Sequence, residues 1–385
     1  MDIALSEEQQ LLKDSAERFI ERDYPFNTRR RLVETEEGFD RAIWCQFADL
    51  GWLGLAMPED HGGLDGTLAD TAILMEAIGR GLVVEPYLST VLLGGGLLRY
   101  GGSAEQQAAL IPPVIAGETL LSFAFAERQS RYNLANVETT ARKAGGGYVL
   151  DGAKGVVMHG ASADKLIVTA RTSGDSRDEA GISLFLVDGN ANGVDRRGYP
   201  TVDGLHGAEV TLDDVTVSGD ALIGAAGAAY PLIEWVIDEA SVATCAEAVG
   251  VMAVLVDASV EYLKTREQFG APIGSFQVLQ HRAVDMFNEL ELSRALVHRA
   301  AAAIASSDDA TNRARAASAA KVQIGQAGRM IGQQAIQLHG GMGMTDELFV
   351  SHYFKRLTMI GTLFGDADYH LKRFAALGGS RGTEG

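Results

Sequence analysis

The residues with most chemistry to offer lie in one stretch, residues 237–280. It opens on Asp238, Glu239, Ala240 and Ser241 and crosses an apolar segment. It ends Arg266-Glu-Gln-Phe-Gly-Ala-Pro-Ile-Gly-Ser-Phe-Gln277. Val242, Cys245, Ala246, Val249, Met252, Ala253, Val256 and Val260 recur at steps of three and four, the period of a helix with one buried face. Gly270, followed two residues later by Pro272, supplies the stop signals. A charged Arg–Glu pair with an aromatic ring at such an end can serve a ligand or a partner chain. Metals have no comparable candidate, because no Cys/His cluster has ligand spacing and no His-Glu-x-x-His occurs.

The stretch must be held by a large framework. At 385 residues the chain is long for one core, and two or three packed units are the expectation. The 33 basic and 51 acidic residues give a net charge of −18. That balance excludes nucleic acid as a natural partner, since phosphate neutralisation needs a basic surface. It equally argues against an anionic membrane surface. The cysteines, Cys45 and Cys245, both sit in apolar helical patterns and are expected as free buried thiols of a reducing compartment. The N-terminus is acidic without a cationic, apolar leader, and no run of about 18 apolar residues suggests a span. A soluble cytoplasmic protein is the expectation.

Residues 1–120 read as a helical domain. Ser6 with Gln9 makes a capping box, and Leu11, Leu12, Ala16, Phe19 and Ile20 then line one face. Further helices are expected over 40–50, 68–81, 90–99 and 104–116. The glycine-rich segment from Pro58 to Leu64 reads as a connection. Over 121–227 the period changes to two, in short runs separated by Gly, Asp, Asn and Ser, as in a compact antiparallel β domain. Gly145-Gly-Gly147 falls between two such runs and reads as a hairpin turn rather than a phosphate cradle. Residues 228–385 turn helical again, with long segments near 230–265, 275–306, 311–339 and 348–377 that suit a four-helix bundle. The fold class is therefore α+β multidomain: an N-terminal helical domain, a central antiparallel β domain and a C-terminal four-helix bundle.

That order, with its motifs, resembles the acyl-CoA dehydrogenase family over nearly the whole chain. The matching signatures are Gly51-Trp-Leu-Gly-Leu-Ala-Met-Pro-Glu-Asp-His-Gly-Gly-Leu, Gly102-Ser-Ala-Glu-Gln-Gln-Ala-Ala-Leu-Ile-Pro112, the Arg266–Gln277 segment and Gln337-Leu-His-Gly-Gly-Met-Gly343. The resemblance implies a flavoprotein that removes hydrogens from Cα and Cβ of an acyl-CoA thioester. A carboxylate takes the α proton and FAD takes a hydride. It implies an oligomer in which each FAD lies between the β domain of one chain and the bundle of its neighbour. Arg266 then resembles the contact to the neighbour's FAD pyrophosphate, for which a guanidinium is well shaped. Phe269, Phe276 and Gln277 match positions around the adenosine half. Gln337, Leu338, Gly340 and Gly341 match a loop whose backbone approaches the pyrophosphate.

The sequence departs from that family in three places. The usual Thr-Glu-Pro-Gly-x-Gly-Ser-Asp reads Ala126-Glu-Arg-Gln-Ser-Arg-Tyr-Asn133, and the usual Trp-Ile-Thr reads Val156-Val157-Met158. The ring-side hydrogen-bond donors and the stacking indole are thus missing. The usual late base position falls on Ile360 or Gly361, depending on a one-residue shift, and neither takes a proton. The alternative early base position falls on Ala240, with Ser241 where Arg is usual. Glu247, seven residues on and therefore on the same helix face, is the remaining carboxylate candidate. In its apolar surroundings it would be protonated or paired if buried.

The resemblance thus extends to the small, degenerate subunits of heterotetrameric bacterial acyl-CoA dehydrogenases, which act on bulky or dicarboxylic acyl-CoAs. The expectation is a subunit that lends Arg266 and the Gln337 loop to a catalytic partner's FAD, with acyl-CoA as substrate and electron-transfer flavoprotein or a similar acceptor. The alternatives are a self-sufficient homomeric dehydrogenase using Glu247 and a flavin-free assembly protein.

Overall fold

The computed structural model describes residues 5–306 and 309–378. The helices before the sheet are α1 (Glu7–Asp23), α2 (Phe26–Leu32), α3 (Arg41–Asp49), α4 (Leu68–Gly81), α5 (Gly96–Gly101) and α6 (Ala104–Ile115). The sheet strands are β1 (Leu121–Ala124), β2 (Thr140–Ala144), β3 (Gly147–Met158), β4 (Lys165–Arg171), β5 (Ile182–Asp188), β6 (Val194–Pro200), β7 (His206–Val217) and β8 (Leu222–Ile223). Then follow α7 (Tyr230–Thr265), the short strands β9 (Glu267–Gln268) and β10 (Ala271–Pro272), and α8 (Gln277–Ala305), α9 (Ala310–His339), α10 (Val350–Thr362) and α11 (Ala367–Gly378). The chain forms two compact units, one of residues 1–30, 67–83 and 241–385, the other of 31–66 and 84–240.

In the first unit the expected capping box starts α1: the Gln9 N–H donates to Ser6 Oγ at 3.1 Å and the Ser6 N–H to Gln9 Oε1 at 3.1 Å. Helices α4 and α7 meet backbone to backbone. A Cβ on Gly79 would overlap the carbonyl oxygen of Glu247, and one on Gly250 would overlap that of Glu76. Only glycine permits this approach, which then fixes the crossing of the two helices. Helix α9 packs against α8, α10 and α11.

The long segment expected over 348–377 is two helices rather than one. Phe364 (φ 60°) and Gly365 (φ 126°) break it, and Asp366 caps the second piece by accepting from the Tyr369 N–H at 2.8 Å. Helix α7 is also more apolar than the sequence reading allowed. An 18-residue window reaches a mean hydropathy of 1.6, long and apolar enough to cross a bilayer, but 89% of that window is buried inside the protein. A helix covered on every side needs no polar face.

In the second unit the eight-stranded sheet has the order β6-β7-β3-β2-β4-β5-β8. Its ladders are antiparallel, as expected, except that β1 and β2 run parallel to β4. Gly145 and Gly146 make the expected two-residue hairpin between β2 and β3, both at positive φ, as a type I′ turn requires. Alternate residues Leu166 and Val168, with Phe185, Val187, Val210 and Val215, fill the sheet's core. Helix α3 buries Ile43, Trp44 and Phe47. Cys45 lies about 100° round the helix from its neighbour and is exposed, against expectation, whereas Cys245 is buried as expected.

Candidate functional site

The Arg266 edge belongs to the first unit. Helix α7 ends at Thr265, and the chain turns back through the β9–β10 hairpin, where Gln268 pairs with Ala271 and Glu267 with Pro272. Phe269 (φ 57°) and Gly270 (φ 81°) form its two-residue tip. Phenylalanine at positive φ is strained, and here the strain holds a ring that is 93% exposed. Phe276 meets it edge-on with 6.1 Å between centroids. Gln277, the first residue of α8, is exposed beside Phe276. The Arg266 side chain is exposed, and among the described residues its guanidinium makes no hydrogen bond or ion pair.

The end of α9 is joined to this edge by Tyr262, whose ring lies 4.5 Å from that of His339. The His339 ring donates Nδ1–H to the Ala335 carbonyl at 2.8 Å. Beyond it the chain passes through exposed Gly340 and Gly341, where an added Cβ would meet open space. Gln337 is exposed, but the Leu338 side chain is buried, so that residue offers the edge only its backbone. A free guanidinium, glycine backbone without side-chain cover and displayed aromatic rings form a donor set that suits a dinucleotide's phosphates and base. The residues of this edge therefore fit FAD.

The carboxylate candidate in the same unit is otherwise engaged. Glu247 is 2% exposed and accepts two hydrogen bonds from Arg356 on α10, Nε to Oε1 at 2.5 Å and Nη2 to Oε2 at 2.8 Å. A buried fork-to-fork pair leaves both carboxylate oxygens occupied by the guanidinium. Ile360 is fully buried. A Cβ on Gly361 would meet open space. The backbone here is held by Lys321, whose buried Nζ donates to the carbonyls of Ile360 at 2.7 Å and Leu363 at 2.6 Å. Burial brings that ammonium's pKa down to about 8.

In the second unit Ala240 is buried, and neighbouring Glu239 is fixed. Its Oε1 accepts from Tyr100 Oη at 2.7 Å and Trp235 Nε1 at 3.0 Å, its Oε2 from Arg99 Nη2 at 3.2 Å. The segment from Ala126 to Asn133 is tied down by Glu127. Its oxygens accept from Lys154 Nζ at 2.5 Å, the Thr139 hydroxyl at 2.7 Å, the Glu138 N–H at 2.8 Å and Gln129 Nε2 at 2.6 Å. Burial pushes the Glu127 carboxyl up, but the Lys154 charge and these donors outweigh it and bring the pKa to about 2. Burial also lowers the Lys154 ammonium to about 8 despite Glu127. Arg171 donates to the carbonyls of Val137, Ala135, Ala180 and Asp178, at 3.1, 2.8, 3.0 and 3.0 Å. Where an indole is usual, Val156 stands at a register shift of β3 with φ 53° and 56% exposure. It offers no hydrogen bond to a ring. Val157 is buried.

Lys154, Arg171, Lys321 and Arg356 were missed by the sequence reading. Lys321, between Ala320 and Val322, carries a local signal, a cation in an apolar run, whereas the surroundings of the other three give none.

A helical stretch, a sheet and a helical bundle in this order, with an arginine-and-glycine edge suited to a dinucleotide, define the architecture of flavin-dependent acyl-CoA oxidation. Residues 6–118, 122–215 and 230–377 match the N-terminal, middle and C-terminal domains of acyl-CoA dehydrogenases, and the chain belongs to the acyl-CoA dehydrogenase family. It is 29% identical to the probable acyl-CoA dehydrogenase YngJ of Bacillus subtilis, over 92% of this chain and 93% of that protein. It is similar to the ChsE4-ChsE5 complex from Mycobacterium tuberculosis, with a TM-score of 0.88 and 27% identity over 98% of each chain. It is similar to the FAD complex of PigA, with a TM-score of 0.91 and 26% identity over 99% of this chain and 100% of that one.

Proposed function

We propose that this chain is the flavin-sharing, base-less subunit of a heteromeric acyl-CoA dehydrogenase. The observation that carries the reading is the Glu247–Arg356 pair. The carboxylate that could replace the missing base has both oxygens on a guanidinium at 2.5 and 2.8 Å. Ala240, Ile360 and Gly361 offer no proton acceptor. Meanwhile the Arg266 edge stays open, and among the described residues no side chain pairs with its guanidinium. The similarity to one chain of a two-component complex, ChsE4-ChsE5, supports the same reading.

The reaction removes a proton from Cα of the acyl thioester and a hydride from Cβ, and the bound FAD supplies the hydride acceptor. This chain's part is binding. Arg266 would pair with pyrophosphate oxygens, the backbone at Gly340 and Gly341 would lie along the phosphates, and the Gln337 and Gln277 amides would offer hydrogen bonds. Phe269 and Phe276 would cover the adenosine half. The carboxylate that takes the α proton and the contacts to the flavin ring come from the partner subunit. Electron-transfer flavoprotein or a similar carrier would be the electron acceptor, and the substrate is a bulky or dicarboxylic acyl-CoA.

Purification of the chain alone and with a co-expressed paralogue tests this. The expected result is flavin only in the co-expressed complex. A yellow homomer bleached by acyl-CoA would restore the self-sufficient dehydrogenase. A flavin-free complex would favour an assembly role.

A further inference from the structure

Away from the Arg266 edge, the first unit carries an open-sided cavity of about 280 Å³ walled by α1, α2, α4, α7 and α10. Its floor is aromatic. Phe26 and Phe349 meet edge-on with 6.1 Å between centroids, and Tyr353 lies 5.8 Å from Phe349. The Tyr353 hydroxyl is spent on the Arg80 carbonyl at 2.5 Å, so the residue presents its ring. Glu17 and Glu21, one helical turn apart on α1, line the same cavity. Among the described residues neither carboxylate makes a hydrogen bond or ion pair. Arg80 also lines the cavity, but its guanidinium leans to Asp257 at 3.9 Å. His352 stands behind Phe26, with 5.1 Å between ring centroids. Burial keeps its imidazole below the ordinary pKa, and its Nε2 is on the Asp346 carbonyl at 3.0 Å.

We propose that this cavity binds a small organic cation, an ammonium group on an apolar body. Aromatic faces attract a cation through their quadrupoles, and two unpaired carboxylates beside them supply the countercharge. A chain of net charge −18 concentrates cations around it. The space admits a small organic molecule rather than a single water. This site is independent of the flavin edge and of the subunit reading.

Isothermal titration of the full-length chain with 2-phenylethylamine and its neutral isostere 2-phenylethanol tests the proposal. The amine binds, and the alcohol binds about tenfold more weakly or not at all. The surface variant Glu17→Gln/Glu21→Gln lowers amine affinity by about tenfold and leaves the alcohol's unchanged. Equal affinity for the two probes would reduce the cavity to an apolar dimple. No heat with millimolar amine, or amine affinity unchanged in the double variant, would also overturn the proposal.

Discussion

Tyr262 and His339 lie ring against ring, 4.5 Å between centroids, and this contact ties the helix end that carries Arg266 to the one that carries Gly340. Two motifs more than seventy residues apart in the chain are thereby presented as one edge. If that edge serves a partner's FAD, Arg266→Ala removes charge-assisted hydrogen bonds worth about 1.5–3 kcal/mol. FAD affinity of the complex should then fall by about ten- to a hundredfold, read by flavin fluorescence on dilution. Tyr262→Ala, which removes the ring contact to His339, should lower flavin content less and without changing the spectrum. Unchanged flavin content in Arg266→Ala would place the shared site elsewhere.

The Glu247–Arg356 pair makes a separate prediction. Removing one partner strands a buried charge, so Arg356→Met should destabilise the fold by about 3–5 kcal/mol. The double variant Glu247→Gln/Arg356→Met should recover part of that loss, because neither charge is then left alone. Thermal melts of the single and double variants decide it. A catalytic Glu247 would instead leave stability almost unchanged on Glu247→Gln while abolishing turnover.

Ile360 and Gly361, the two residues on which the usual late base position could fall, should respond oppositely to a carboxylate. Gly361→Glu enters open space in the last turn of α10, so the melting temperature should change little. Ile360→Glu puts an unpaired carboxylate at a fully buried position and should cost several kcal/mol, on the order of 3 or more. Equal tolerance at both positions would contradict the packing described for α10.

The acid limb of stability should trace to Glu127. Its folded pKa is about 2 against an ordinary 4.5, so the unfolded chain binds the proton more readily. The stabilisation is full above about 4.5 and is lost as pH falls toward 2. Denaturation midpoints measured across that interval should fall with pH. The Glu127→Gln/Lys154→Met variant should flatten that dependence.

Helix α4 crosses α7 at Gly79 and Gly250, where any side chain would meet a backbone carbonyl. Gly79→Ala and Gly250→Ala should each destabilise by about 1–3 kcal/mol as the helices are forced apart, although alanine is the better helix former. Urea midpoints check this, and a stabilising effect of either change would refute the close crossing.

The sequence by itself determined the order of elements, because period and stop signals are local properties. The capping box at Ser6, the Gly145-Gly146 hairpin and the Arg266 and Gln337 motifs were all legible from neighbours in the chain. So was the family, through motifs spread over the whole length. The residue types at Ala240 and Ile360 were equally plain, and neither side chain accepts a proton in any fold. What only the tertiary structure decided concerns partners far apart in the chain. Glu247 alone could be a base or a strut, and Arg356, more than a hundred residues away, makes it one half of an ion pair. The same holds for Lys154 on Glu127 and Lys321 on the α10 carbonyls, since a buried charge is defined by what closes around it. Cys45 shows the limit in the other direction. Its apolar neighbours suggested burial, but the angle about α3 that turns it to solvent is fixed by which face Trp44 and Phe47 pack.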